Sequence, residues 1–298
     1  LYPGISLDAF GPPKRAGEAG FGEPVPGRIS GGIYIPAAGY VSDPQLAAHN
    51  LMAAARAMGA GFRFNARVAK IRSSEGRVLG VTLDDGTGLS APIIVNAAGP
   101  HSAGINDLAG VSDSLPIRTR AERHEVAYLP APEAYLEGGN GFLVDLDSGI
   151  YIRPDGADLL VGSADPVCDP PDVVDPDGYN AGFTEQWTTQ IYRAAQRFPA
   201  FPIENTARGT VGLYDVSNDW IPLYDRTDLG GYYLAIGTSG NQFKNAPVVG
   251  ELMANIILKG DRHDVEPAEL TLPALGRTVS LDFYSRNREI QKTNSVLA

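Results

Sequence analysis

The chain has 298 residues, 43% of them hydrophobic and 20% charged, enough to bury a sizeable core in one large unit or two intertwined ones. A net charge of −11, with no cluster of lysines and arginines, argues against a nucleic-acid partner. No apolar run approaches the ~20 residues of a membrane span. No signal-peptide pattern is present, and the expected location is the cytoplasm. The lone Cys168 excludes an intrachain disulfide and a paired-cysteine metal site, so no metal is expected.

Residues 1–42 are rich in Gly and Pro and hold one strand candidate, Gly32-Ile33-Tyr34-Ile35. Asp43 is a good N-cap and Pro44 suits the first helical position. Leu46, Leu51, Ala54, Ala55 and Met58 then fall on one helical face, and Gly59 closes the helix. Residues 62–73 read as extended, 75–76 as a turn, 78–83 as an alternating strand and 85–86 as another turn. The short apolar run 93–97 ends at Ala98-Gly99-Pro100. From 111 to 216 strand-like pieces dominate (123–129, 149–153, 159–162, 209–214), with one helix over about 184–198. Residues 232–236 form a buried strand, 237–241 a glycine turn, and a helix follows with Asn245 as N-cap and Pro247 in its first turn. Residues 283–290 suit a short helix. The order predicts a layered α/β (α+β) fold, 43–110 with 217–298, into which an antiparallel sheet of 111–216, joined by 1–42, is inserted.

Four places carry possible chemistry. Strand, glycine turn and helix at 232–258 offer unsatisfied N–H groups to an anion, although an ordinary βα connection gives the same pattern. Lys244 in the first turn opposes the helix dipole by ~0.3–1 kcal/mol, which favours an anionic ligand there over a solvated lysine. Tyr151 and Arg153 share one strand face, and an arginine fork suits a carboxylate as well as a surface ion pair. Asn96-Ala97-Ala98-Gly99-Pro100 ends a strand where open α/β sheets bind ligands; tight packing explains it equally. Tyr214 ends a strand just ahead of the glycine turn, where a core role competes with a catalytic one. His49, His101 and His124 follow no usable pattern.

Together these pieces resemble the D-amino-acid oxidase and sarcosine oxidase family of FAD enzymes, glycine oxidase-like members included, through nearly the whole chain. Gly39-Tyr40-Val41-Ser42-Asp43-Pro44 is similar to that family's entry into its second αβ unit, and Ile94 to Pro100 resembles its NAAGPW stretch, with His101 where Trp is frequent. Gly212-Leu213-Tyr214-Asp215 with Asp219 and Pro222 resembles its tyrosine-bearing strand end. Residues 237–247, GTSGNQFKNAP, look like its flavin-contacting loop. The resemblance implies an FAD-dependent oxidoreductase acting on the C–N bond of a small amine or amino acid. Val68 would offer its backbone to the adenine, and Ala98 and Gly99 would line the ribose and pyrophosphate side. Gly237, Thr238, Ser239, Gly240, Asn241, Gln242 and Phe243 would form the loop at the flavin edge. Lys244, Tyr214 and Arg153 would stand near the substrate. Gly212 occupies the position of the cysteine that bonds FAD in some members, so non-covalent FAD is expected. The family's opening βαβ unit with G-x-G-x-x-G is not in this sequence, which begins Leu1-Tyr2-Pro3-Gly4. The expectation is a missing N-terminal segment, or a partner chain that supplies the pyrophosphate site. The competing expectations are a non-catalytic subunit and a non-oxidative flavin-fold protein.

Overall fold

The computed structural model describes residues 4–137, 141–260, 269–272 and 276–293. In chain order the strands are β1 (Asp8–Ala9), β2 (Val25–Arg28), β3 (Val68–Ser74), β4 (Arg77–Leu83), β5 (Gly88–Ser90), β6 (Ile94–Asn96), β7 (Thr119–Pro130), β8 (Leu143–Asp145), β9 (Ile150–Asp155), β10 (Asp158–Ser163), β11 (Gly209–Ser217), β12 (Leu223–Arg226), β13 (Tyr232–Ile236), β14 (Glu269–Leu272) and β15 (Arg277–Ser280). The α-helices are α1 (Pro44–Ala57), α2 (Ser102–Ala109), α3 (Glu133–Glu137), α4 (Glu185–Arg197) and α5 (Ala246–Gly260).

The long strand β7 organises a five-stranded antiparallel sheet in the order β11-β7-β10-β9-β8. Side chains alternate across it, as the pleat requires. Ala127, Leu129, Ile150, Ile152, Leu159 and Val161 point to one face and meet Trp187, Ile191 and Ala194 of α4. Burying each large side chain contributes about 1.5–3 kcal/mol. Helix α4 starts where the Thr184 hydroxyl caps Gln186 N–H. The opposite face of the sheet has no helix over it among the described residues and carries Glu122, His124, Tyr151, Arg153 and Tyr214.

A second sheet, β12-β13-β6, has β6 parallel to β13 and β12 antiparallel to it. One face packs on Val111, Leu115, Ile117 and, through Ile71 and Val78, on the meander β3-β4-β5. The other face packs through Tyr224 and Tyr233 on Leu252, Met253 and Ile256 of α5 and on Leu270 and Leu272 of β14. No helix is long and apolar enough to cross a membrane among the described residues.

Buried arginines tie the N-terminal segment to this frame. Arg193, 1% exposed, forks onto both carboxylate oxygens of Asp169 at 2.8 Å and donates to Lys14 O. Arg197 binds Asp145, Asp147 and the carbonyls of Ser6 and Asp8.

Asp43 caps α1 as expected, accepting from Leu46 N–H at 2.8 Å, yet no residue of α1 is buried. Its apolar face has nothing to pack on among the described residues. The strand expected at 32–35 does not form: Ile33 is 94% and Tyr34 85% exposed, with no neighbour strand to pair. Asn245 stands immediately before α5. It closes a 3-10 turn, Phe243–Asn245, and its amide donates to Gln242 Oε1, so the helix proper starts at Ala246. The expected helix at 283–290 is only a 3-10 turn, Asp282–Tyr284, because Arg286 and Arg288 turn inward to Asp228 and Asp219.

Removing one partner of a buried ion pair strands the other. Arg193→Ala is expected to cost about 3–5 kcal/mol in denaturant unfolding, whereas Arg208→Ala, at a solvent-screened pair with Asp158, should leave the unfolding midpoint nearly unchanged.

Candidate functional site

Because β6 and β13 run parallel and side by side, their C-terminal ends open at the same edge. Asn96 ends β6, fully buried, donating to Ser102 O and Asn106 Oδ1 and accepting from Ala98 N–H. This fixes the chain as it turns through Ala98 and Gly99. Gly99 has φ +57, and a Cβ there would meet nothing within 4 Å, so its surface faces open space. Val68, at the start of β3, sends its side chain into the core beneath this edge.

Ile236 leads into the glycine turn, which is clasped from β11. Gly237 N–H donates to Asp215 Oδ2 at 2.6 Å, and Ser239 N–H donates to Asp215 O at 2.8 Å. Ser239 is fully buried at φ +47, and its hydroxyl accepts from Ser217 N–H and donates to Gly237 O. Its side chain therefore braces the turn from inside. Thr238 O accepts from Asn241 N–H, and Gln242 Oε1 accepts from Tyr224 OH and Asn245. Phe243 is half exposed. Lys244 is exposed, its ammonium donating to Asn241 O at 2.7 Å.

The turn meets the uncovered sheet face at one point. A Cβ on Gly240, where φ is +73, would lie 2.3 Å from the Tyr214 ring. Only glycine lets the backbone come this close. Tyr214 in turn stacks on His124, with ring centroids 4.0 Å apart, and His124 meets Trp220 edge-on at 6.4 Å. Tyr151 reaches the Tyr214 hydroxyl across the sheet, its ring seated over Gly162. Burial and the nearby Asp165 carboxylate push the Tyr214 phenol up; burial and Tyr214 push Tyr151 well up. Both stay protonated and can hydrogen-bond a ligand without giving up the proton. Arg153 lies one pleat beyond Tyr151, against the Tyr40 ring at 5.2 Å and Asp155 at 3.8 Å. The structure thus gathers Tyr214, Gly240 and Tyr151 into one contact and puts Arg153 on the same face. Sequence reasoning passed over His124, Glu122 and Asp165. Their only signal is cross-strand register, in which Tyr214 sits opposite Glu122 and Gly212 opposite His124.

The chain belongs to the FAD dependent oxidoreductase family, whose family model matches residues 12–256. FAD is the cofactor of that family. The glycine oxidase of Geobacillus kaustophilus is 29% identical over 248 residues, 82% of this chain and 60% of that protein. The sarcosine oxidase subunit beta of Rhizobium meliloti is 27% identical over 202 residues, 66% of this chain and 44% of that protein. Among solved structures, L-proline dehydrogenase from P. horikoshii superposes with TM-score 0.61 at 22% identity, covering 80% of this chain and 58% of that one. The chain spans 36% to 60% of the length of the curated relatives it matches.

Asp215 gives the clasp a pH signature. Burial pushes its carboxyl up to about 6, against the pull of Gly237 N–H, while the hydroxyls of Thr119 and Ser102 stand beside it outside good hydrogen-bond geometry. A folded pKa raised from 3.8 to about 6 gives stability that is full below the lower value and is lost as pH rises through the upper. Asp215→Asn keeps an acceptor for Gly237 without the charge. It is expected to gain stability relative to the parent as pH rises across this window, measured by denaturant unfolding at a series of pH values.

Proposed function

We propose that this chain forms the substrate side and part of the flavin side of an FAD-dependent oxidoreductase that oxidises the C–N bond of a small amine or amino acid. The observation that carries this is the contact of Gly240 with the Tyr214 ring, which brings the glycine turn against the uncovered sheet face. A planar ring laid along the turn would have that face as its roof. The residues present fit part of FAD. The turn from Gly237 to Phe243 offers backbone N–H groups and a nearby ammonium, Lys244, to the flavin's pyrimidine edge. Ala98, Gly99 and the backbone of Val68 suit the ribose and adenine side. Glycine at position 212 leaves no thiol to bond the flavin, so FAD is held non-covalently.

FAD, when bound, supplies the acceptor for a hydride from the carbon bearing nitrogen. The protein's part is positioning and charge. Lys244 stabilises negative charge at the flavin edge and is placed to hold a substrate carboxylate. Tyr214 and Tyr151 present neutral phenols above the substrate, and Arg153 stands further along the same face for an anionic group. The names of the relatives, glycine oxidase and sarcosine oxidase subunit beta, support a glycine- or sarcosine-like amine as substrate.

The pyrophosphate cradle comes from elsewhere. No G-x-G-x-x-G stands in this sequence. Among the described residues, strand β6 pairs on one edge only, no residue of α1 is buried, and Leu46, Leu51, Met58 and Phe64 are each more than half exposed. Unpaired edges and apolar faces of this size need a cover. A βαβ segment, from the same polypeptide or from a partner chain, is the cover that also completes the FAD site.

Visible absorption before and after adding FAD, followed by gel filtration, tests this reading. Retained flavin bands that bleach with sarcosine, glycine or proline are expected of the protein with its βαβ segment. Flavin bands that no amine bleaches, or a complete protein that never retains FAD, would overturn it. Lys244→Met is expected to lower turnover by about a hundredfold or more while the flavin spectrum remains. Gly240→Ala, which drives a methyl into the Tyr214 ring, should lose flavin altogether, read as absorbance after gel filtration.

A further inference from the structure

We propose that a cleft through the five-stranded sheet is a second binding site, for a small organic ammonium ion, walled off from the flavin side by the stacked rings of His124 and Tyr214. The cleft opens where the sheet splits. Strand β10 leaves β7 at the pairing of Gly162 with Val126, and Val173 rejoins β7 opposite Glu122. The space between has a volume of about 490 Å³ and is lined by, among others, Glu122, His124, Asp165, Asp169, Gln190 and Trp220. That size suits a small molecule.

Two acceptors in this cleft, the Asp165 carboxylate and Gln190 Oε1, are unmet among the described residues. Four of its carboxylates have arginines: Glu122 has Arg120, Glu125 and Asp172 share Arg123, and Asp169 has Arg193. Asp165 has no arginine or lysine and receives no hydrogen bond on its carboxylate among the described residues; His124 Nδ1 lies 3.7 Å from it. Gln190 is completely buried. Its amide nitrogen donates to Glu125 O, which leaves Oε1 without a donor. His124 lies between two carboxylates, with Nδ1 3.7 Å from Asp165 and Nε2 3.8 Å from Glu122. A bare carboxylate and a bare amide oxygen call for a ligand that is cationic and rich in N–H. A metal ion does not fit, since no group of three His, Cys, Asp or Glu among the described residues could hold one. Trp220, in the cleft wall, supplies the aromatic surface that attracts alkylammonium groups. The site needs no flavin, so it stands or falls apart from the oxidoreductase reading, although an amine in both sites would be chemically consistent.

Methylammonium chloride is the probe, with saturation-transfer NMR on its methyl signal at constant ionic strength in sodium chloride. Saturable transfer is expected in the whole protein and should weaken at least about tenfold in Asp165→Asn. A folded Asp165→Asn that binds as well as the parent, or a signal that sodium chloride competes away mole for mole, would overturn the proposal and leave water and salt in the cleft. If Asp165→Asn does not fold, a pH series on the parent decides. Around Asp165 stand His124 and Glu122 from β7, Tyr214 from β11, Tyr151 from β9, both phenols pushed up and neutral, and Asp169 from its own loop. Glu122 and Asp169 are held low, by His124 and Arg120 and by Arg193 and its neighbours respectively. Binding should therefore weaken as pH falls through about 6, where Asp165 takes up its proton. Binding that is unchanged across that range would also overturn the proposal.

Discussion

The hydrogen bonds from Gly237 N–H to the Asp215 carboxylate and from Ser239 N–H to Asp215 O tie the glycine turn after β13 to β11 of the five-stranded sheet. Adjacent residues on β11 point to opposite faces. Tyr214 goes to the uncovered face and Asp215 to the buried side, yet both grip the same turn, one through Gly240 and one through Gly237 and Ser239. The turn therefore straddles a strand end. Slipping β11 by one residue against β7 would exchange the two side chains and undo both contacts at once. Everything placed on the uncovered face inherits its position from that register.

The sequence made much of this legible where local chemistry decides the outcome. Thr184 and Asp43 start their helices as their side chains dictate, and the apolar strand Tyr232–Ile236 is unambiguous. The glycine turn and Tyr214 were visible as motifs. What no local pattern could supply was pairing. Nothing in the residues around 124 shows that a histidine will stack on a tyrosine from β11, or that Asp165 will close the same cluster from a loop beyond β10. The region 32–35 shows the converse. Its apolar residues looked like a strand, but a strand needs a neighbour, and Ile33 and Tyr34 have none here. Asn245 lies immediately before α5, as its chemistry suggests, but the 3-10 turn it closes with Phe243 and Lys244 was not legible.

Charge is distributed unevenly between stability and function. Arg193, Arg197 and Arg288 are nearly buried and doubly bonded to carboxylates or carbonyls, so they act as internal fasteners. Lys244 and Arg153 stay partly in solvent with weaker partners, the condition a ligand-binding cation needs. The two carboxyls pushed up by burial, Asp165 and Asp215, both lie within reach of the Tyr214 strand. The carboxylates of the framework pairs, Asp169 and Asp219, are instead held low by their arginines.

Strands β6 and β13 are neighbours in space but are separated in sequence by the whole five-stranded sheet. Loop-closure entropy delays contacts of that span relative to hairpins such as β9–β10. During synthesis the edge at Ala98 and Gly99 emerges early, but it has no parallel partner until residues 232–236 leave the ribosome. The edge at Ala98 and Gly99 thus assembles after the strands of the five-stranded sheet, once residues 232–236 are available to pair with it.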